Sequence, residues 1–222
     1  MERRTFLVGA AAAALSACAK DAVPSATGTP TPLPSPEPGA ADLDHVLEGR
    51  RSIRTFSAEP VDDDLLAHLL WAAQGQTAPW GGRTAPSAGG LYPLEVYLAT
   101  DRSLRRYVPD AHRASEVASG DRRGAIADAT GGQEAARDAP ALFVITAVVE
   151  RTSGKYGDRA ERYVALEAGH ACQNLLLEAT ALGLGAVPMG AFSDEGVREA
   201  LGVGDEELPL YVVPVGHPGE GG

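Results

Sequence analysis

Cysteine is almost missing from this sequence: Cys18 and Cys172 are the only two among 222 residues. Cys18 sits in a candidate leader, which leaves Cys172 without an intramolecular partner. A disulfide framework is thereby excluded, and stability has to come from a packed core. Basic charge is short as well. Nineteen Lys and Arg face thirty Asp and Glu, for a formal net charge of -11, and a surface so acidic repels a nucleic-acid backbone. The Ala-rich stretch between Leu7 and Cys18 falls short of the roughly 20 apolar residues that span a bilayer. No internal repeat is visible.

What is present begins with an address. A positive start (MERRTFL), an apolar stretch and small residues before a cut site describe an export signal. Arg3-Arg4-Thr5-Phe6-Leu7 resembles the twin-arginine signal, and Leu15-Ser16-Ala17-Cys18 resembles the lipobox at which bacterial lipoproteins are cut and lipidated. An ordinary secretory leader is the alternative. Residues 1–18 are therefore expected to deliver a lipoprotein to the extracytoplasmic side of the membrane, anchored through Cys18. Residues 19–41 place six prolines between Pro24 and Pro38. That composition favours an extended tether of about 3.1 Å per residue. Residues 42–218 form one globular domain, and 219–222 a short tail.

Within the domain, a short helix is expected from Asp42 to Gly49. A second follows Pro60, with acidic Asp62 to Asp64 at its start, leucines at helical spacing and Gly75 as its stop. Residues 76–93 read as a long loop, Leu94 to Leu98 as a strand, and Arg106 to Val108 as a short strand before a turn. Short helices are expected between 110 and 139. The unbroken apolar run from Ala141 to Val149 fits a strand covered on both faces. Residues 159–182 are expected to form the longest helix, buried almost all round in the core or between subunits, with Tyr163, Leu166 and Leu177 widening its apolar face. A helix from Ser193 to Leu201 and a strand from Leu210 to Val215 complete the reading.

Several motifs carry candidate chemistry. Glu167-Ala168-Gly169-His170 matches the Glu-x-x-His pair of carboxylate di-iron bundles, but no second pair exists. The better reading is a polar stripe of Glu167, His170, Asn174 and Glu178, with no metal expected. Ser87 lacks the preceding glycine of a hydrolase nucleophile elbow. Gly183 to Pro188 follows a helix instead of a strand and puts Pro188 where a dinucleotide fingerprint needs glycine, so these glycines end a helix. Arg50-Arg51-Ser52-Ile53-Arg54 is the densest basic cluster. Three neighbouring guanidiniums suit a phosphate, or else a set of surface carboxylates.

Four segments in order carry a resemblance. They are Arg50 to Arg54, Pro86-Ser87-Ala88-Gly89-Gly90-Leu91-Tyr92-Pro93, Leu166 to His170 with Gln173-Asn174-Leu175, and Gly183 to Phe192 (GLGAVPMGAF). Together they resemble the nitroreductase-like flavoproteins and are most similar to their azoline-oxidising, SagB-type dehydrogenase branch. The resemblance implies an α+β fold, with a central mainly antiparallel sheet, flanking helices and an intertwined homodimer. It also implies FMN. Arg50, Arg51, Ser52 and Arg54 are then expected to hold its phosphate and ribityl chain. Pro86, Ser87, Ala88 and Gly89 are expected to line the ring from the partner subunit, and Pro188, Met189, Gly190 and Ala191 to offer a backbone N–H to flavin N5. Without the resemblance, both loops read equally well as plain turns.

Lys155 and Tyr156 resemble the Lys-Tyr pair of the azoline oxidases, which implies removal of a substrate proton; a solvated loop lysine is the other reading. Two departures stand out. Gly90 occupies a place where Asn is common, and no Lys or Arg follows Val215 to complete the phosphate site. The expected function is an FMN-dependent oxidoreductase transferring hydride between a small substrate and N5, with oxygen or a membrane quinone as acceptor. A non-catalytic, lipid-anchored binder of flavin or another small ligand is the alternative.

Overall fold

The computed structural model describes residues 29–35 and 41–220. The expected export signal and Cys18 lie outside the described residues. Seven strands form one sheet: β1 (Thr31–Pro32), β2 (Leu94–Ala99), β3 (Ser103–Val108), β4 (Arg113–Ser119), β5 (Ala141–Val148), β6 (Gly185–Ala186) and β7 (Glu207–Gly216). Their spatial order is β1-β4-β3-β2-β5-β7-β6, and every neighbouring pair is antiparallel. Seven α-helices flank the sheet: α1 (Leu43–Gly49), α2 (Asp63–Gln74), α3 (Arg123–Ala129), α4 (Glu134–Asp138), α5 (Glu150–Tyr156), α6 (Ala160–Ala181) and α7 (Asp194–Leu201). The α+β architecture with a mainly antiparallel sheet is the one expected.

The apolar run of β5 explains the layering. Alternate residues of a strand face opposite sides, and β5 is covered on both. Phe143 and Ile145 face a core built with α2 and α6, through Leu66, Leu70, Val164 and Leu175. Leu142 and Val144 face a second core built with α3, α4 and α7, through Ile126, Ala136 and Val197. Cys172 is buried in the first of these cores, and burial pushes its thiol up to about 12, so it stays uncharged.

Helix ends follow local chemistry. Asp42 caps α1 by accepting from the Asp44 N–H at 3.0 Å, and Ser193 caps α7 by accepting from the Gly196 N–H at 3.1 Å. Gly183, at a φ of 73°, turns the chain out of α6 as expected.

The structure corrects or adds to the sequence reading at four places. Residues 113–119 form β4 instead of helix; its small and polar residues hide the alternation, and pairing with β3 decides the matter. Residues 150–156, which the sequence reading leaves without an element, form α5. Within a single chain, helix α6 covers Val164, Ala168, Ala171, Leu175 and Ala179 and leaves Leu166 54% exposed. Thr31 and Pro32, inside the expected tether, pair with Ala114 and Arg113. Leu33 then donates to the His112 carbonyl at 3.0 Å, and Pro34 O lies 2.6 Å from the His112 ring.

The second core carries one buried acid. Glu207 is fully enclosed and accepts from the Tyr97 hydroxyl at 2.8 and 3.0 Å and from the Thr146 hydroxyl at 2.5 Å. Burial pushes its carboxyl above the usual range, and the two hydroxyls oppose that shift. Replacing Tyr97→Phe leaves a buried acceptor short of a donor and should lower the unfolding free energy by about 1–3 kcal/mol. Urea denaturation reads this as a lower midpoint at unchanged slope; an unchanged midpoint contradicts it.

Candidate functional site

The arginine segment runs directly out of α1. Arg50 closes that helix, its N–H donating to the Val46 carbonyl at 2.9 Å. Arg51 spends one donor on the helix end, with Nη1 2.6 Å from the Glu48 carbonyl and 2.8 Å from that of Arg50. Ser52 then opposes Ala186 in a parallel bridge, and the Ile53 N–H donates to the Ala186 carbonyl at 3.1 Å. The chain continues between two further contacts: Gly219 N–H to the Thr55 carbonyl and Ser57 N–H to the His217 carbonyl, both at 2.9 Å. Arg51, Ser52 and Arg54 are exposed and Arg50 is half-buried. Among the described residues, no carboxylate lies within 4.0 Å of any of the three guanidiniums. The reading of this cluster as a holder of surface carboxylates therefore finds no support.

Beyond β6 the chain passes through Pro188 to Ala191. Met189 is buried and exchanges both backbone bonds with Val212, at 2.9 and 3.0 Å. Its N–H is thus already used. Gly190 and Ala191 are exposed, and their N–H groups have no partner among the described residues. Of the four residues expected to offer an amide, these two can.

A second group forms around Pro86 to Tyr92. The Ser87 hydroxyl accepts from the Tyr92 N–H at 2.8 Å, Arg83 stacks on the Tyr92 ring at 4.3 Å, and Tyr92 itself holds a φ of 47°. Gly89 has a φ of 65°, and a Cβ built there would lie 2.8 Å from Lys155 Nζ and 2.9 Å from the Tyr156 hydroxyl. The last turn of α5 therefore lays Lys155 and Tyr156 directly over this loop. Tyr156 also meets Tyr163 edge to face, ring centroids 5.0 Å apart.

Glu167 reaches the same loop from α6. It is 2% exposed, and Oε1 has no hydrogen-bond partner among the described residues. Burial pushes its carboxyl up to about 7, while the Ser87 hydroxyl and the Arg83 charge pull the other way. With Pro86, Ser87, Ala88, Tyr163, Leu166 and His170 it lines a cavity of about 260 Å³. Sequence reasoning placed Glu167 in a polar stripe and missed its burial; its place three residues after Val164 on the apolar side of α6 was the available signal. A larger cavity, about 380 Å³ between α1, α2 and α6, touches none of the residues expected to bind a cofactor.

The two groups lie at opposite ends of β5. Ser52 is tied through Ala186 and Val215 to Ala141, whereas the Pro93 carbonyl accepts from the Val148 N–H. At about 3.3 Å per residue the eight-residue strand separates them by roughly 20 Å. One chain therefore presents two separate groups of residues. The residues present fit the group that the resemblance calls for: unpaired guanidiniums for a phosphate, two open amides, and a loop of Pro, Ser, Ala and Gly for a flat ring.

Comparison with known proteins agrees. The profile described as the Nitroreductase family matches residues 47–217. A protein of Methanocaldococcus jannaschii, provisionally named a nitroreductase, is 40% identical over 180 residues, covering 78% of this chain and 90% of that protein. A crystal structure from Ralstonia eutropha, also provisionally named a nitroreductase, superposes with a TM-score of 0.77 at 32% identity, over 84% of this chain and 88% of that one. The same fold is seen in a Desulfovibrio desulfuricans protein crystallised with FMN, with a TM-score of 0.61 at 24% identity over 80% of this chain and 87% of that one.

The Glu167 carboxyl sets a pH dependence. Its folded value of about 7 lies above the ordinary 4.5, so folding takes up a proton between these values. Its contribution is full below about pH 4.5 and lost as pH rises through about 7. Glu167→Gln cannot ionise, so its stability relative to wild type should increase between about pH 5 and about pH 8. Urea midpoints at the two pH values measure this; a constant difference contradicts the shift.

Proposed function

Because the chain belongs to the nitroreductase family, we propose that it is an FMN-dependent oxidoreductase acting as a homodimer, in which hydride passes between a small substrate and flavin N5. The observation that carries the reading is the arginine segment, pinned to β6 and free of any carboxylate partner among the described residues. Bound FMN supplies an N5 that accepts hydride and a phosphate of up to two negative charges.

The chain's own residues do the rest. Arg50 and Arg54 offset the phosphate charge, and the Ser52 hydroxyl and a remaining Arg51 donor add hydrogen bonds. Gly190 and Ala191 present N–H groups to the ring edge. The Pro86 to Gly89 loop lines the ring of the other copy, since its own arginines lie at the far end of β5. Lys155 accepts a substrate proton on its amine nitrogen, and Tyr156 positions that nitrogen. That pair, lying over Gly89, supports substrate oxidation in the manner of the azoline-oxidising branch, with oxygen or a membrane quinone taking the electrons. Export and lipidation at Cys18 would place the enzyme outside the cytoplasmic membrane. Residues 31–34 tie the preceding segment to β4, so the anchor would hold the domain from that sheet edge. Among the described residues no helix is long and apolar enough to cross a membrane.

Two substitutions test this. Arg50→Ala with Arg54→Ala removes two charge-assisted contacts of about 1.5–3 kcal/mol each, so FMN affinity should fall by at least about 100-fold and the purified protein should lose its yellow colour at unchanged circular dichroism. Yellow protein from that double variant sinks the assignment. Lys155→Ala should keep the flavin and slow its reduction by an oxidisable donor by about 100-fold or more; an unchanged rate removes Lys155 from the reaction.

A further inference from the structure

Three of the four polar residues along one side of α6 differ from Glu167. Glu178 faces His68 at 3.5 Å, and Asn174 donates to the Thr84 carbonyl at 3.2 Å, so both tie α6 to its neighbours. His170 is exposed to water. Glu167 is enclosed, and its Oε1 receives no donor from any described residue. Folded proteins leave few buried polar atoms in that state, and the missing donor asks for a source.

The cavity beside it suggests one. Its volume of about 260 Å³ lies at the small end for ligand pockets. Pro86, Ala88, Leu166 and the Tyr163 ring give it largely apolar walls. The Ser87 oxygen accepts from the Tyr92 N–H, and its own O–H acts on the Glu167 carboxyl yet leaves Oε1 without a donor. Lys155 Nζ and the Tyr156 hydroxyl stand over Gly89, the residue after Ala88. A cationic ligand is disfavoured there, because the Arg83 guanidinium acts on the same carboxyl. A neutral donor is not.

We infer that this cavity is the substrate subsite, and that it takes a small, flat, mostly apolar molecule whose neutral N–H or O–H group donates to the buried Glu167 carboxyl. The inference rests on the oxidoreductase reading for the fate of the bound molecule; the binding itself rests on the enclosed oxygen and the cavity. Glu167 selects and orients, and Lys155 and Tyr156 lie within the same loop's reach.

Indole and 1-methylindole share a shape and differ in the N–H, so they are suitable probes. The FMN-loaded protein is titrated with each by calorimetry. Its flavin content is recorded first, and wild-type protein that never holds FMN defeats the oxidoreductase reading separately. Indole should bind at least about tenfold more tightly than 1-methylindole. Glu167→Gln keeps an acceptor oxygen and should keep the preference. Glu167→Leu should erase it, with FMN content and sedimentation unchanged. Equal binding of the two probes by wild type overturns the inference, and that comparison decides even if the Leu variant fails to fold. A folded Leu variant that keeps the preference also overturns it. Loss of FMN in that variant assigns the carboxyl to the cofactor, and its dissociation assigns the carboxyl to the subunit interface; both overturn the inference.

Discussion

One backbone contact holds the candidate site to the fold: the Ile53 N–H donates to the Ala186 carbonyl at 3.1 Å. Through it the arginine segment is fastened to β6, β6 to β7, and β7 to the buried β5. The contact depends on Gly185, where any Cβ would fall 2.6 Å from Ile53 Cγ2. The packing of two apolar cores thus fixes where three guanidiniums stand. Close by, the same run of chain leaves the Gly190 and Ala191 amides open, because Val212 has taken that of Met189.

The second consequence concerns charge. On a chain of net charge -11, arginines are expected to find acids, and many here do: Arg102 and Arg105 share Asp63, Arg123 meets Asp121, and Arg151 meets Glu95. In the segment 50–54, three neighbouring arginines have no such partner among the described residues. Like charges held together without a counterion are unfavourable, so the arrangement makes physical sense when an anion settles there. The other half-site has the opposite character, an apolar loop with an enclosed acid, and it lies at the other end of β5. A flat anionic cofactor needs both, which is the physical reason for proposing that two copies build each site.

Much of this was legible in the sequence where one interaction dominates a segment. The run from Ala141 gave a strand because both faces are buried, and α2 ended at Gly75 because the Trp71 side chain occupies the space a Cβ would need. The four motif segments were found in order, and the structure places them in two groups. What escaped detection depends on distant partners. Residues 113–119 become a strand only by pairing with β3, and Thr31 and Pro32 only by pairing with β4. Lys155 and Tyr156 were legible as a candidate pair only through the resemblance, and their position over Gly89 depends on α5. Glu167 reads as one more polar position until the Pro86 loop covers it. Leu166, left open on a single chain, is the kind of apolar surface that a second copy would cover.

The central claim is that each site joins the arginine segment of one copy to the Pro86 loop of the other. Mixed dimers test it most directly, prepared from one chain bearing Arg50→Ala with Arg54→Ala and another bearing Gly89→Leu, which forces a side chain into the space of Lys155 and Tyr156. Each variant alone should lack flavin, and the purified mixed dimer should regain one intact, yellow site for every two chains. A mixed dimer as colourless as its parents would mean that both halves come from the same chain, and the account would fail.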